Sequence, residues 1–257
     1  MSPHLHAGGC PLPPRVIAPA LAAMRLGGFV PWSSVDYPGH QSAVLFCGGC
    51  PWRCRYCHNS HLWHGTAEVP WRTVEEFLER RRGLLDAVVI SGGEPLAQAQ
   101  AVAAALQVIR DKGFATALHT AGVAPWRLAR LLALLDWVGL DIKGPFARYP
   151  TITGSRRSGL AARAALEMVL AAGVACELRT TVHSALLSAA DLVAMVTELR
   201  ELGVSRLVLK DFRSQGCADA GLAVRHRPWL TPALAARLRA IMPDIVLPGR
   251  PELVGAP

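Results

Sequence analysis

The chain has 257 residues, 51% hydrophobic and 18% charged, so it can bury a sizeable core and does not read as a disordered segment. No uncharged apolar run reaches the roughly 18 to 20 residues that span a bilayer, and the stretch from Val16 to Met24 is broken by Pro19, so we expect a cytoplasmic protein with no membrane partner. The formal net charge is +8, yet the basic residues are dispersed and only Arg80, Arg81 and Arg82 make a contiguous triplet, which leaves no stripe for a nucleic-acid partner.

Residues 1–27 contain five prolines and no clean periodicity. They read as a flexible arm, and His4, His6 and Cys10 within it are candidate metal ligands. Residues 28–257 read as a single domain in which short β-like runs alternate with helical ones. Ser42–Phe46 is expected to be a strand and Thr73–Arg82 a helix, with Thr73 and Glu76 at capping-box spacing. A buried strand at Ala87–Ile90, a helix at Leu96–Lys112, a strand at Thr116–His119 and a proline-opened helix at Pro125–Leu135 follow. The remaining expectations are strands at Trp137–Asp141, Ala175–Val182 and Arg206–Lys210, helices at Gly159–Ala172, Ser188–Leu202 and Thr231–Ile241, and a short strand near Ile245. About six βα units in series imply an α/β fold with a parallel sheet, either open and doubly wound or a complete or partial barrel.

Ligand-binding loops of parallel α/β folds collect at the C-terminal ends of the strands, and the unusual residues of this chain follow its expected strands there. Cys47–Cys57 follow the first, Gly92-Gly93-Glu94 the second, His119 the third, Asp141 and Lys143 the fourth, His183 the fifth and Lys210 the sixth. Four of seven cysteines fall within Cys47–Cys57, which points to metal chemistry in a reducing compartment rather than a disulfide framework. Cys50-x3-Cys54-x2-Cys57 can wrap one soft centre, and three thiolates on a cuboidal cluster leave one iron open for a substrate. The alternative is structural zinc with Cys47 or His58 as fourth ligand, but Cys176 and Cys217 are isolated and supply no second pair. We assign Cys47 to packing.

Gly92 and Gly93 allow close main-chain approach and positive φ, and Glu94 offers an acceptor to an ammonium. Asp141 and Lys143 point to one side of their strand end and Ile142 to the other. Only three of 27 basic residues are lysines (Lys112, Lys143 and Lys210), which favours a specific role for Lys143, such as meeting a carboxylate.

Cys50-x3-Cys54-x-Tyr56-Cys57 resembles the signature of the radical S-adenosylmethionine (SAM) superfamily, and Ser91-Gly92-Gly93-Glu94-Pro95 resembles its second landmark. The resemblance implies a partial (β/α)6 barrel, a [4Fe–4S] cluster on Cys50, Cys54 and Cys57, and SAM bound at the open iron. A narrower resemblance, over most of residues 28–212, is to activating enzymes of glycyl radical enzymes, especially of anaerobic ribonucleoside-triphosphate reductase. It is carried by Gly28-Phe-Val-Pro-Trp-Ser-Ser-Val-Asp-Tyr-Pro-Gly39, Cys57-His58-Asn59, Leu118-His-Thr-Ala-Gly122, Gly139-Leu-Asp-Ile-Lys-Gly144 and Leu178-Arg-Thr-Thr-Val182. It implies SAM contacts from Tyr56, Asn59, Gly92, Gly93, Glu94, His119, Asp141 and Lys143, with His119 standing where several relatives carry an acidic residue. It also implies hydrogen abstraction from a glycine of the partner enzyme and a flavodoxin- or ferredoxin-type reductant. A radical enzyme acting on a small molecule such as a deazapurine precursor, and a non-enzymatic zinc or electron-transfer module, are the competing readings.

Overall fold

The computed structural model describes residues 13–217 and 219–249; His4, His6 and Cys10 lie outside them. The chain runs through α1 (Pro14–Ala22), β1 (Leu26–Ser33), β2 (Ser42–Cys47), α2 (Trp71–Arg80), β3 (Ala87–Gly92), α3 (Ala99–Asp111), β4 (Ala115–Thr120), α4 (Pro125–Leu131) and β5 (Trp137–Asp141). It continues through α5 (Tyr149–Thr153), α6 (Ser158–Ala172), β6 (Ala175–Val182), α7 (Ala189–Glu201), β7 (Val208–Asp211), α8 (Ala220–Arg225) and α9 (Pro232–Ile241). The seven strands form one sheet in the order β1 to β7. The class is α/β as expected, and because β1 and β7 are the end strands the sheet does not close on itself. No helix among the described residues is long and apolar enough to cross a membrane.

Contacts divide the chain into two compact units. One takes the chain up to Pro51 with His61–Gly139 and Ala164–Cys176; the other takes Trp52–Ser60, Leu140–Arg163 and the chain from Glu177 onward. In the first, β1 pairs antiparallel with β2, while β2 with β3 and β3 with β4 pair in parallel. Period-two alternation gives one face of these strands to Val44, Ala87, Val89 and Ala117, which pack with Tyr37 and Trp137 into a core cluster. Trp71, Val74 and Leu78 of α2 are buried at helical spacing, and Phe77 meets Phe29 of β1 edge-on at 4.8 Å. In the second unit β6 and β7 pair in parallel, with Thr180 opposite Leu209. There α7 buries Leu192, Met195, Val196 and Leu199 and packs on α9.

Three local expectations change. Part of the segment read as an arm is the helix α1, which packs on α3; Pro14 stands at a first-turn position where a missing N–H breaks no helical bond. The capping box at Thr73 and Glu76 does not form, because the helix starts after Pro70; Glu76 instead accepts from Arg72 Nε at 2.8 Å. The strand near Ile245 is a single parallel bridge, Val208 to Val246.

Candidate cofactor site

In the first unit the strand ends are locked together by main chain. Gly93 N–H donates to the Cys47 carbonyl (2.8 Å) and Glu94 N–H to that of Gly49 (2.9 Å), so the Gly92-Gly93-Glu94 turn lies directly on the segment leading to Cys50. A Cβ at Gly92, whose φ is +115°, would run into the Cys47 backbone, and one at Gly93 would reach the Gly49 carbonyl. Both glycines are therefore required by close approach. From the other side Gly49 N–H donates to the Leu62 carbonyl (2.6 Å) and Cys50 N–H to that of Trp63 (3.4 Å).

Glu94 is buried, and its carboxylate is taken up by the protein. Oε1 accepts from Leu96 N–H (3.0 Å) and the Thr120 hydroxyl (2.7 Å), and Oε2 accepts from Ala121 N–H (2.9 Å), which ties the glycine turn to the end of β4. His119, one residue earlier on β4, points to the opposite face of the strand. Its Nε2 donates to the Asp36 carbonyl at 2.7 Å and its ring meets Trp137 edge-on, so it anchors the lead-in segment. Cys47 is fully buried, and burial, outweighing a bond to Gln98, pushes its thiol up to about 12, which keeps it protonated at neutral pH.

In the second unit the rest of the cysteine loop is pinned to α5: Arg53 N–H donates to the Thr153 carbonyl (2.8 Å) and Arg55 N–H to that of Ile152 (3.1 Å). A turn joins Cys57 N–H to the Cys54 carbonyl at 3.0 Å. Lys143 brings its ammonium over the Tyr56 ring, 5.6 Å from the centroid, and to 3.8 Å from Asp141. Burial opposes that charge, but Tyr56, Cys54, Asp141 and Tyr149 favour it more strongly and hold the lysine well above its ordinary value. Burial raises the Tyr56 phenol in turn.

Two residues of this cluster were given no role by sequence reasoning. Arg179 Nε donates to Asp141 Oδ1 at 2.7 Å, and the fully buried Tyr149 accepts the Lys143 N–H on its hydroxyl at 3.0 Å. Arg179 had a signal, a cation among apolar and β-branched neighbours in an expected strand; Tyr149 had none. Tyr56, Asp141 and Lys143 thus come together in this unit, and Gly92, Gly93 and Glu94 join the Cys47–Cys50 segment in the other. Asn59 is half-buried in the loop after Cys57.

Cys50, Cys54 and Cys57 stand on a loop fastened by main-chain bonds, and three cysteine sulfurs are a soft donor set of the kind that holds an iron–sulfur cluster. Among the described residues no three His, Cys, Asp or Glu side chains converge as for a single metal ion.

Residues 44–186 match the profile of the family described as the Radical SAM superfamily. A provisionally named glycyl-radical enzyme activating enzyme of Methanocaldococcus jannaschii is 37% identical over 137 residues, 52% of this chain and 56% of that one. The pyruvate formate-lyase-activating enzyme of Clostridium pasteurianum is 36% identical over 135 residues, 49% of this chain and 55% of that one. The chain therefore spans about half the length of the curated relatives it matches. Among solved structures, Streptococcus suis SuiB bound to precursor peptide SuiA matches with TM-score 0.60 and 15% identity over 82% of this chain and 51% of that one, a likeness of fold alone.

Proposed function

Because this chain belongs to the radical SAM superfamily, we propose that it activates a glycyl radical enzyme, cleaving SAM reductively and taking a hydrogen atom from a backbone glycine of anaerobic ribonucleoside-triphosphate reductase. The observation that carries the reading is the pair of relatives named as activating enzymes, 37% and 36% identical over about half of the chain. The choice of partner rests on the lead-in at residues 28–39 and on Cys57-His58-Asn59, which resemble the activases of that reductase.

When held by Cys50, Cys54 and Cys57, a [4Fe–4S] cluster supplies the electron that breaks a C–S bond of the SAM sulfonium. The chain's own groups bind and orient. Lys143, beside Asp141 and Arg179, receives the methionine carboxylate, and the Tyr56 ring packs under the lysine. Gly92 and Gly93 admit the methionine amino group close to main chain, with the carboxylate of Glu94 beside it. Asn59 and the loop 118–122 face the adenosine, His119 contributing through its hold on Asp36. The electron comes from a flavodoxin- or ferredoxin-type protein in the cytoplasm, where thiols stay reduced.

The test is reduced enzyme with SAM and a co-encoded anaerobic ribonucleotide reductase. The expected result is 5′-deoxyadenosine, methionine and a glycyl doublet by electron paramagnetic resonance, with the doublet erased by a glycine-to-alanine change at the partner's radical site. Absence of a doublet with every co-encoded glycyl radical enzyme, together with stimulation of SAM cleavage by a small molecule, refutes the activase reading.

A further inference from the structure

A groove of about 1160 Å³ is bordered by α1, the start of α3 and α4, within the first unit. Its charge comes from Arg15, Arg25, Arg127 and Arg130, and no carboxylate lines it among the described residues. Arg127 donates to the Leu96 and Ala97 carbonyls (2.9 and 3.2 Å) and lies over the ring of the exposed Trp126 at 4.6 Å. Arg15, Arg25 and Arg130 are exposed, and alanines such as Ala20, Ala97 and Ala101 line the groove between them. Four like charges around one concavity raise a positive potential that an anionic surface relieves.

One end of this groove touches the cysteine loop. Gln98 clamps the Arg25 main chain, accepting from its N–H (2.9 Å) and donating to its carbonyl (2.8 Å), and the same carbonyl accepts from Gly48 N–H (2.9 Å). The Arg25 guanidinium lies 3.6 Å from where a Cβ on Gly49 would stand. Whatever fills the groove is thus seated against the segment that carries Cys50. Residues 1–12 contain no acidic side chain, so charge does not select the chain's own start as the occupant.

We propose that this groove docks an acidic protein that carries single electrons. The proposal rests on the enzyme reading above, which needs an electron from outside the chain. The step is one-electron transfer: the carrier loses one electron, the centre held by the three cysteines gains it, and no bond forms or breaks in the carrier.

The test compares the wild type with Arg15→Glu/Arg130→Glu and with a control of equal charge change outside the groove, Arg72→Glu/Arg82→Glu. An acidic flavodoxin is the probe. Binding of its oxidised form is read by flavin fluorescence anisotropy, and SAM cleavage is driven either by its reduced form or by dithionite. The groove variant should raise Kd and carrier KM on the order of tenfold at low salt, an effect that shrinks towards about 0.5 M salt. Dithionite-driven cleavage should not change, and the control should bind as the wild type does. An unchanged Kd, an equal rise in the control, or an equal loss with dithionite overturns the proposal. So does a loss confined to glycyl radical formation at saturating dithionite, which would assign the groove to the protein substrate. Groove-dependent binding in a wild type that never cleaves SAM would uphold the docking surface and remove the enzyme reading instead.

Discussion

Lys143→Met removes a buried charge while keeping an unbranched apolar side chain, so it separates the ammonium from the packing of its stem. The fold should lose little: Asp141 keeps Arg179 at 2.7 Å, whereas the lysine stands 3.8 Å away, beyond a good hydrogen bond. We expect a stability change under about 1 kcal/mol, or roughly 2–4 °C in Tm. The ligand should lose a charge-assisted hydrogen bond worth about 1.5–3 kcal/mol, on the order of tenfold to a hundredfold in affinity. Anaerobic calorimetry with reconstituted enzyme measures this, and iron content with the visible spectrum shows whether the cluster survives. Unchanged SAM affinity with the cluster intact would refute the assigned contact, and loss of the cluster would show that Lys143 supports the cysteines instead.

Anaerobic reconstitution should give about four irons per chain, with the brown chromophore lost in Cys50→Ala, Cys54→Ala and Cys57→Ala but kept in Cys47→Ala; a colourless zinc-loaded wild type contradicts this. Gly92→Ala should cost more than about 2 kcal/mol, because its φ of +115° is compounded by collision with the Cys47 backbone. Gly39→Ala, with φ +80° and nothing within 4 Å, should cost only about 1 kcal/mol, and equal values in urea unfolding would count against the close-approach argument. Ser188→Ala should lower stability by about 1 kcal/mol through loss of the α7 capping box with Asp191, an effect absent from the scan if the box is not formed in solution.

The strands Trp137–Asp141 and Ala175–Val182 were legible to the residue because each is a short run that opens close after a turn-forming residue, Asp136 for the first and Gly173 for the second, where a helical pattern has ended. The cysteine spacing and the glycine turn were legible for a related reason: their meaning lies within a few consecutive positions. The helix α1 was hidden by its prolines, which local rules read as breakers although one stands in the first turn. What no local pattern carries is register. Arg179 reaches Asp141 across 38 positions of sequence, and Tyr149 meets Lys143 only because the chain turns back through α5. Glu94 was legible as a turn acid, and its bond from Leu96 N–H is local, but its two donors from Thr120 and Ala121 depend on how β3 and β4 lie side by side.

The glycine turn and the segment before Cys50 hold each other through protein bonds alone, Gly93 to Cys47 and Glu94 to Gly49, with Leu62 and Trp63 closing the other side. That stretch of loop is therefore fastened by main chain on both sides. Because each tie is made by main chain, side-chain substitutions along the stretch leave the ties in place, save at Gly92 and Gly93, where an added Cβ would meet the facing backbone.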